Sequence, residues 1–138
     1  MDFKIGIGVI IKKSGMVLLG KRIGSHGAHT WSFPGGHVDN NETPETAAKR
    51  EVLEETGLIV NDLAPLGFTY DHFSEVNTDY LTLFYCCNWT GGTPQVMEAN
   101  KCLEWRWFSP DELPEPLFTP IAALIKQETW SAVIMNKT

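Results

Sequence analysis

The chain is a succession of short apolar stretches separated by glycine-rich turns, and most stretches have a readable period. From Phe3 to Lys12, Ile5, Ile7, Val9 and Ile11 alternate with Gly6, Gly8 and Ile10, a period of two that predicts a buried strand. The two glycines leave room for another backbone or a ligand to approach. Ser14-Gly15 is a turn signal, so Met16 to Arg22 is predicted to return as the partner in a hairpin. Gly24 to Thr30 carries His26 and His29 and holds no period, so it reads as a loop. Trp31 to Pro34 is predicted to be short and extended, because the residue before a proline avoids the helical region. Gly35-Gly36 then reads as a turn.

A helix is predicted from about Pro44 to Thr56. Thr43 can cap its first turn with a hydroxyl, and Pro44 suits the first helical position, where a missing N–H costs nothing. Glu45 sits near the positive end of the helix dipole. Thr46 stands where a capping box would have Glu or Gln. Gly57 can take the left-handed conformation that ends a helix. Beyond it, Pro65 to Glu75 and Asp79 to Trp89 are predicted as a second strand pair, turning at Val76-Asn77-Thr78. Leu81, Leu83 and Tyr85 alternate with Thr82, Phe84 and Cys86, so this sheet is expected to be covered on both faces. Glu104 to Phe108 is a further strand, with Trp105 and Trp107 on one face, and 119–130 reads as a second helix. Strands interrupted by two helices place the chain in the α/β class, with a mixed sheet and helices on its faces.

The totals narrow this reading rather than change it. At 138 residues there is room for one domain, 1–138, and no second. A net charge of -6 argues against a nucleic-acid polymer held by phosphate contacts, but not against a small nucleotide accompanied by a cation. There is no apolar run of about 20 residues, so no membrane span is expected. The start lacks the basic-then-apolar order of a signal peptide, and Cys86, Cys87 and Cys102 are an odd, unpatterned set. Reduced thiols and a cytoplasmic location are the expectation.

The predicted helix carries the chemistry. Glu51, Glu54 and Glu55 stand at i, i+3 and i+4, so they share one face and repel each other. That cost disappears if a cation sits among them, and carboxylates suit the hard ions Mg²⁺ or Mn²⁺. A solvated acidic face is the plainer explanation for three glutamates alone. The wider pattern outweighs it: Gly36, five residues, Glu42, seven residues, Arg50-Glu51, Val52, one residue, Glu54-Glu55, one residue, Gly57-Leu58. From average composition, a chance match is on the order of 10⁻¹⁰ per window. The pattern is the Nudix box, and the chain resembles the Nudix hydrolases. Gly20-Lys21-Arg22, Phe33 to His37 and Glu98 to Trp107 extend the resemblance to the small MutT-type nucleoside triphosphate diphosphatases. Among these it is most similar to the branch containing the human thiopurine-nucleotide-hydrolysing member.

The resemblance implies the Nudix α/β/α sandwich and a Mg²⁺-dependent hydrolysis of a normal or modified nucleoside triphosphate to monophosphate and pyrophosphate. It implies that Glu51, Glu54, Glu55 and the Gly35 carbonyl are metal ligands. Glu54, Glu55 or Glu98 would serve as general base, and Arg50 would orient a glutamate through a bidentate pair. Glu42 would support the loop or a metal-bound water. Lys21 and Arg22 are phosphate candidates, and Thr82 and Phe118 are pocket candidates, with Phe118 as a stacking residue. Glu54 and Glu55 are expected to be exposed. Dimerisation is common among similar proteins, and nothing in the chain specifies an interface. The alternatives are another Nudix substrate, such as ADP-ribose, a dinucleoside polyphosphate or a capped RNA, or a Nudix-fold binding module without catalysis.

Overall fold

The computed structural model describes residues 2–24 and 26–135. Strand β1 (Asp2–Lys13) is its axis. It runs parallel to β6 (Thr78–Asn88), in register from Asp2↔Thr78 to Lys12↔Asn88, and β5 (Ala64–Phe73) flanks β6 antiparallel at the sheet's edge. At its other end β1 turns into β2 (Met16–Arg22). Ser14 and Gly15 both have positive φ, 51° and 78°, which matches the hairpin to the strands' twist. Strands β3 (Trp31–Ser32) and β7 (Cys102–Phe108) both pair with β2. The sheet is therefore mixed, as the pattern predicts.

Alternation divides the apolar residues into two cores. Ile7, Val9, Ile11 and Leu18 face helix α1 (Pro44–Thr56), whose Ala47, Ala48 and Val52 are fully buried against them. Ile10, Val17, Leu19 and Phe84 face the opposite way, toward Ile121, Leu124, Trp130 and Val133. Helices thus cover both faces, which is the expected α/β/α sandwich.

Two expectations are corrected. Gly35-Gly36 is not simply a turn: Gly35–His37 forms strand β4, paired antiparallel with β1 through Gly8↔Gly35 and Gly6↔His37. β2 pairs with β1 only near the hairpin, and β4 takes up the edge left free around Gly6 to Gly8. A Cβ on Gly35 would collide with the carbonyl oxygen of Ile7, so close backbone approach explains the glycine. Gly35→Ala is expected to destabilise by about 3 kcal/mol, read as a fall in melting temperature of roughly 10 °C. The second correction concerns 119–130, which is two helices: α2 (Thr119–Leu124) and α3 (Glu128–Met135). Lys126 N–H and Gln127 N–H donate to Ala123 and Leu124 carbonyls in a tight turn, and the Gln127 amide donates to the Phe68 carbonyl at 3.0 Å. That tether fixes the break against β5.

Candidate active site

Helix α1 forms as its caps dictate. The Thr43 hydroxyl accepts from Thr46 N–H at 3.1 Å, and Gly57 closes the helix at φ 77° with its N–H on the Leu53 carbonyl. The Thr43 hydroxyl also donates to that of Thr46 at 2.9 Å, so a pair of threonines stands in for the absent capping box. Burying Ala47, Ala48, Val52 and Thr56 leaves Arg50, Glu51, Glu54 and Glu55 on the part of the helix that looks toward β4 and the loop before it.

Arg50 is the hub of the acidic cluster. Its Nε and Nη2 grip the two oxygens of Glu42 at 2.7 and 3.0 Å, the bidentate pair expected of an arginine at this position. Nη1 donates to Glu51 at 2.7 Å and to Glu54 at 3.0 Å, and Nη2 also reaches the His37 carbonyl at 3.0 Å. Glu42 in turn accepts from Asp39 N–H at 3.0 Å, so the 37–42 loop is tied to the helix. The Arg50 hydrogen bonds hold the Glu42 carboxyl at about 2, well below the usual range.

Glu55 faces the other way and is not exposed as expected. It is partly buried beneath β4, and one oxygen accepts from Gly35 N–H at 2.7 Å. Burial pushes its carboxyl up to about 8, with the Glu51 charge adding to the rise. Glu51 is raised for the same first reason, with Glu54 and Glu98 of like charge beside it. A Cβ on Gly36 would run into the Glu51 carboxyl, so this glycine keeps the acid's place open. Glu98 joins from the loop after β6. That loop is pinned to the end of α1 by Gln95 N–H on the Thr56 carbonyl at 2.9 Å, and Glu98 pairs with Lys101 at 3.5 Å.

The site residues thus converge, although no three acidic, His or Cys side chains among the described residues already surround one point. Arg50 now occupies the cationic position beside Glu42, Glu51 and Glu54. The donor set fits a hard divalent ion: it consists of carboxylate oxygens close enough for their like charges to add to burial in raising the proton affinity of Glu51 and Glu55.

The acids open onto a groove of about 640 Å³ that Glu51, Glu55, Gly35 and Gly36 share with Arg22, Lys4 and Lys101. Through Arg22, His26 and Tyr80 it continues into a recess of about 90 Å³ walled by Phe73, Thr82, Phe84 and Phe118. Three of the four substrate candidates therefore line one cleft. Arg22 stacks its guanidinium 4.0 Å from the centre of the Phe118 ring, and Phe118 stacks on Phe73 at 5.5 Å. Thr82 lies buried on β6 beside Gly6 of β1. Lys21 is the exception. Neighbours on a strand point to opposite faces, and Lys21 Nζ lies 5.9 Å from the Trp31 ring, away from the cleft walls. Phe73 and Tyr80 are pocket residues that the chain's pattern did not single out. They reach the cleft because β6 runs parallel to β1, a long-range pairing with no local signal.

A family model described as the NUDIX domain matches residues 2–128. The chain belongs to the Nudix family. This Nudix chain is 34% identical over 107 residues to the oxidized purine nucleoside triphosphate hydrolase of Danio rerio, an alignment covering 77% of the chain and 66% of that protein. It thus spans just under two thirds of that relative's length. It is 32% identical over 144 aligned positions to the RNA pyrophosphohydrolase of Caulobacter vibrioides, covering 91% of the chain and 80% of the relative. Among solved structures, the MutT NUDIX hydrolase of Burkholderia pseudomallei superposes with a TM-score of 0.82 at 30% identity, over 90% of this chain and 97% of that one. The Nudix sandwich expected from the box is therefore the observed fold. Among the described residues, no helix is long and apolar enough to cross a membrane.

Proposed function

We propose that this Nudix protein hydrolyses a nucleoside triphosphate, normal or modified, to the monophosphate and pyrophosphate. One observation carries the reading: a single cleft joins a carboxylate cluster at one end to an aromatic recess at the other, with Arg22 between them. The spacing of functions suits a nucleotide whose base enters the recess and whose phosphates reach the acids. Phe118 stacks on the base, and Thr82 offers a hydroxyl beside it. Arg22 stays charged in spite of its burial, since a guanidinium is not deprotonated in proteins, and it draws the phosphates.

Glu51, Glu54, Glu55 and the Gly35 carbonyl would hold Mg²⁺ or Mn²⁺, which when bound offsets phosphate charge and lowers the pKa of the attacking water. Phosphoryl transfer otherwise asks mainly for position and charge. Arg50 supplies position, because it holds Glu51 and Glu54 in place while clasping Glu42. The water's proton passes to Glu54, Glu55 or Glu98. Glu98 is the one of these bonded neither to Arg50 nor to Gly35, so it is the best placed to turn toward a water.

The test is incubation with Mg²⁺ and a panel of natural and modified triphosphates, followed by product separation. Monophosphate plus pyrophosphate is expected, and a chelator should abolish the reaction. Release of orthophosphate, or no hydrolysis of any nucleotide, would end the proposal. A second reading is favoured by the Caulobacter relative: removal of pyrophosphate from the 5′-triphosphate end of an RNA. With a net charge of -6, the protein is expected to prefer the free nucleotide. Faster turnover of a 5′-triphosphorylated RNA would reverse that order.

A further inference from the structure

The recess that would receive the base is walled by Phe73, Phe84 and Phe118 with a few polar side chains among them, and one of these, His26, has a polar atom left over inside the wall. His26 Nε2 is enclosed and has no hydrogen-bond partner among the described residues. The ring is not loosely placed. It sits 4.3 Å from the Phe73 ring, 5.4 Å from Tyr80 and 5.5 Å from Phe118, so three aromatic side chains hold it in place. Its backbone is fixed as well, because Arg22 Nε donates to the His26 carbonyl at 3.1 Å. The next residue, Gly27, turns in the left-handed region at φ 66°, and a Cβ there would lie 2.6 Å from the Phe118 ring. The loop is therefore built to press His26 and Phe118 into the same wall.

A buried donor or acceptor without a partner is costly, and native proteins keep few of them. A partner that arrives with the ligand accounts for the cost. Burial, reinforced by the Arg22 charge, lowers the His26 pKa, so the imidazole is neutral at physiological pH. A neutral ring offers one donor or one acceptor at Nε2, which suits the carbonyl, ring nitrogen or amino group on the edge of a nucleobase. Phosphates are poor candidates for this atom, since the ring carries no charge and is packed among three aromatic side chains.

We propose that His26 is a specificity-determining residue, making the hydrogen bond that reads the nucleobase edge while Phe118 covers the face. The inference rests on the triphosphatase reading, and one experiment separates the two. Wild type, His26→Phe and His26→Gln are compared on the same panel of natural and modified nucleoside triphosphates and on deoxyribose 5′-triphosphate, which has no base. Phe keeps the packing and removes the nitrogens. Gln restores a donor and an acceptor. His26→Phe is expected to raise KM for the preferred nucleotide about tenfold and to flatten the ranking among bases. kcat and the base-free substrate should be unaffected, and Gln should recover part of the preference. A ranking unchanged in His26→Phe, or an equal loss on the base-free substrate, would overturn the role of His26 while leaving the activity standing. A wild type that hydrolyses none of the substrates would instead remove the triphosphatase reading, and the inference with it.

Discussion

Glu55→Gln is expected to slow turnover by at least about two orders of magnitude, and also to raise the melting temperature of the metal-free protein. The loss follows from removing an anionic ligand of the proposed ion. The gain follows from the position of the side chain. Glu55 lies under β4 with its carboxyl pushed up to about 8, against 4.5 for a free side chain. The folded state therefore binds its proton more tightly than the unfolded state does. Between about pH 4.5 and 8 stability falls as pH rises, because ionising Glu55 works against folding. Below pH 4.5 both states are protonated and the penalty is gone. At pH 7 the amide avoids a cost of about 2–3 kcal/mol, and it can keep the bond from Gly35 N–H through its own carbonyl oxygen. Thermal denaturation without divalent ions at pH 8 should show the variant melting about 5–10 °C higher, with the gap closing by pH 4.5. Adding Mg²⁺ should then raise the wild type more than the variant, as a ligand that binds only the folded wild-type site must. A fully active variant, or one that melts below wild type at pH 8, would contradict the account.

What was legible in the chain follows from where each signal resides. Helix α1 could be read from end to end, since Thr43, Pro44 and Gly57 are local instructions and each is used as written. The β1–β2 hairpin was equally plain, because Ser14-Gly15 can turn the chain by itself. The failures are all non-local. Gly35 looks like a turn residue until β2 is seen to leave β1 and β4 to take up its edge. The break between α2 and α3 depends on a carbonyl of β5 that lies 59 positions away in sequence from the glutamine bonded to it. Lys21 and Arg22 are adjacent cations, and alternation says only that one of them faces the cleft, not which. Glu55 shares a helical face with Glu51 and Glu54 in projection, yet β4 covers it and leaves Glu54 in solvent. The box therefore revealed which residues meet, while the environment that makes them unequal had to come from the fold.

Arg50 is where that inequality is managed, and its replacement should cost more than the removal of one ligand. One guanidinium satisfies Glu42 through two bonds, Glu51 and Glu54 through one each, and the His37 carbonyl through a fifth. An ammonium has three donors on one atom and cannot present that spread of directions. Arg50→Lys is therefore expected to lower kcat by about 10–100-fold, the usual scale for a residue that orients ligands, and to raise the Mg²⁺ concentration needed for half-maximal rate. Arg50→Ala goes further: it leaves Glu42, Glu51 and Glu54 facing one another with no cation among them. The metal-free protein should then melt lower than wild type, and Mg²⁺ should restore more of the loss than it adds to wild type, because the ion takes over part of the charge that the arginine balanced. The coupling is tested by combining Arg50→Lys with Glu42→Gln. Since both act through one clasp, the double variant should lose little more than the worse single variant. Additive losses, or an Arg50→Lys protein within twofold of wild-type kcat, would show that the arginine is only a surface partner of the acids and that their placement is secured elsewhere.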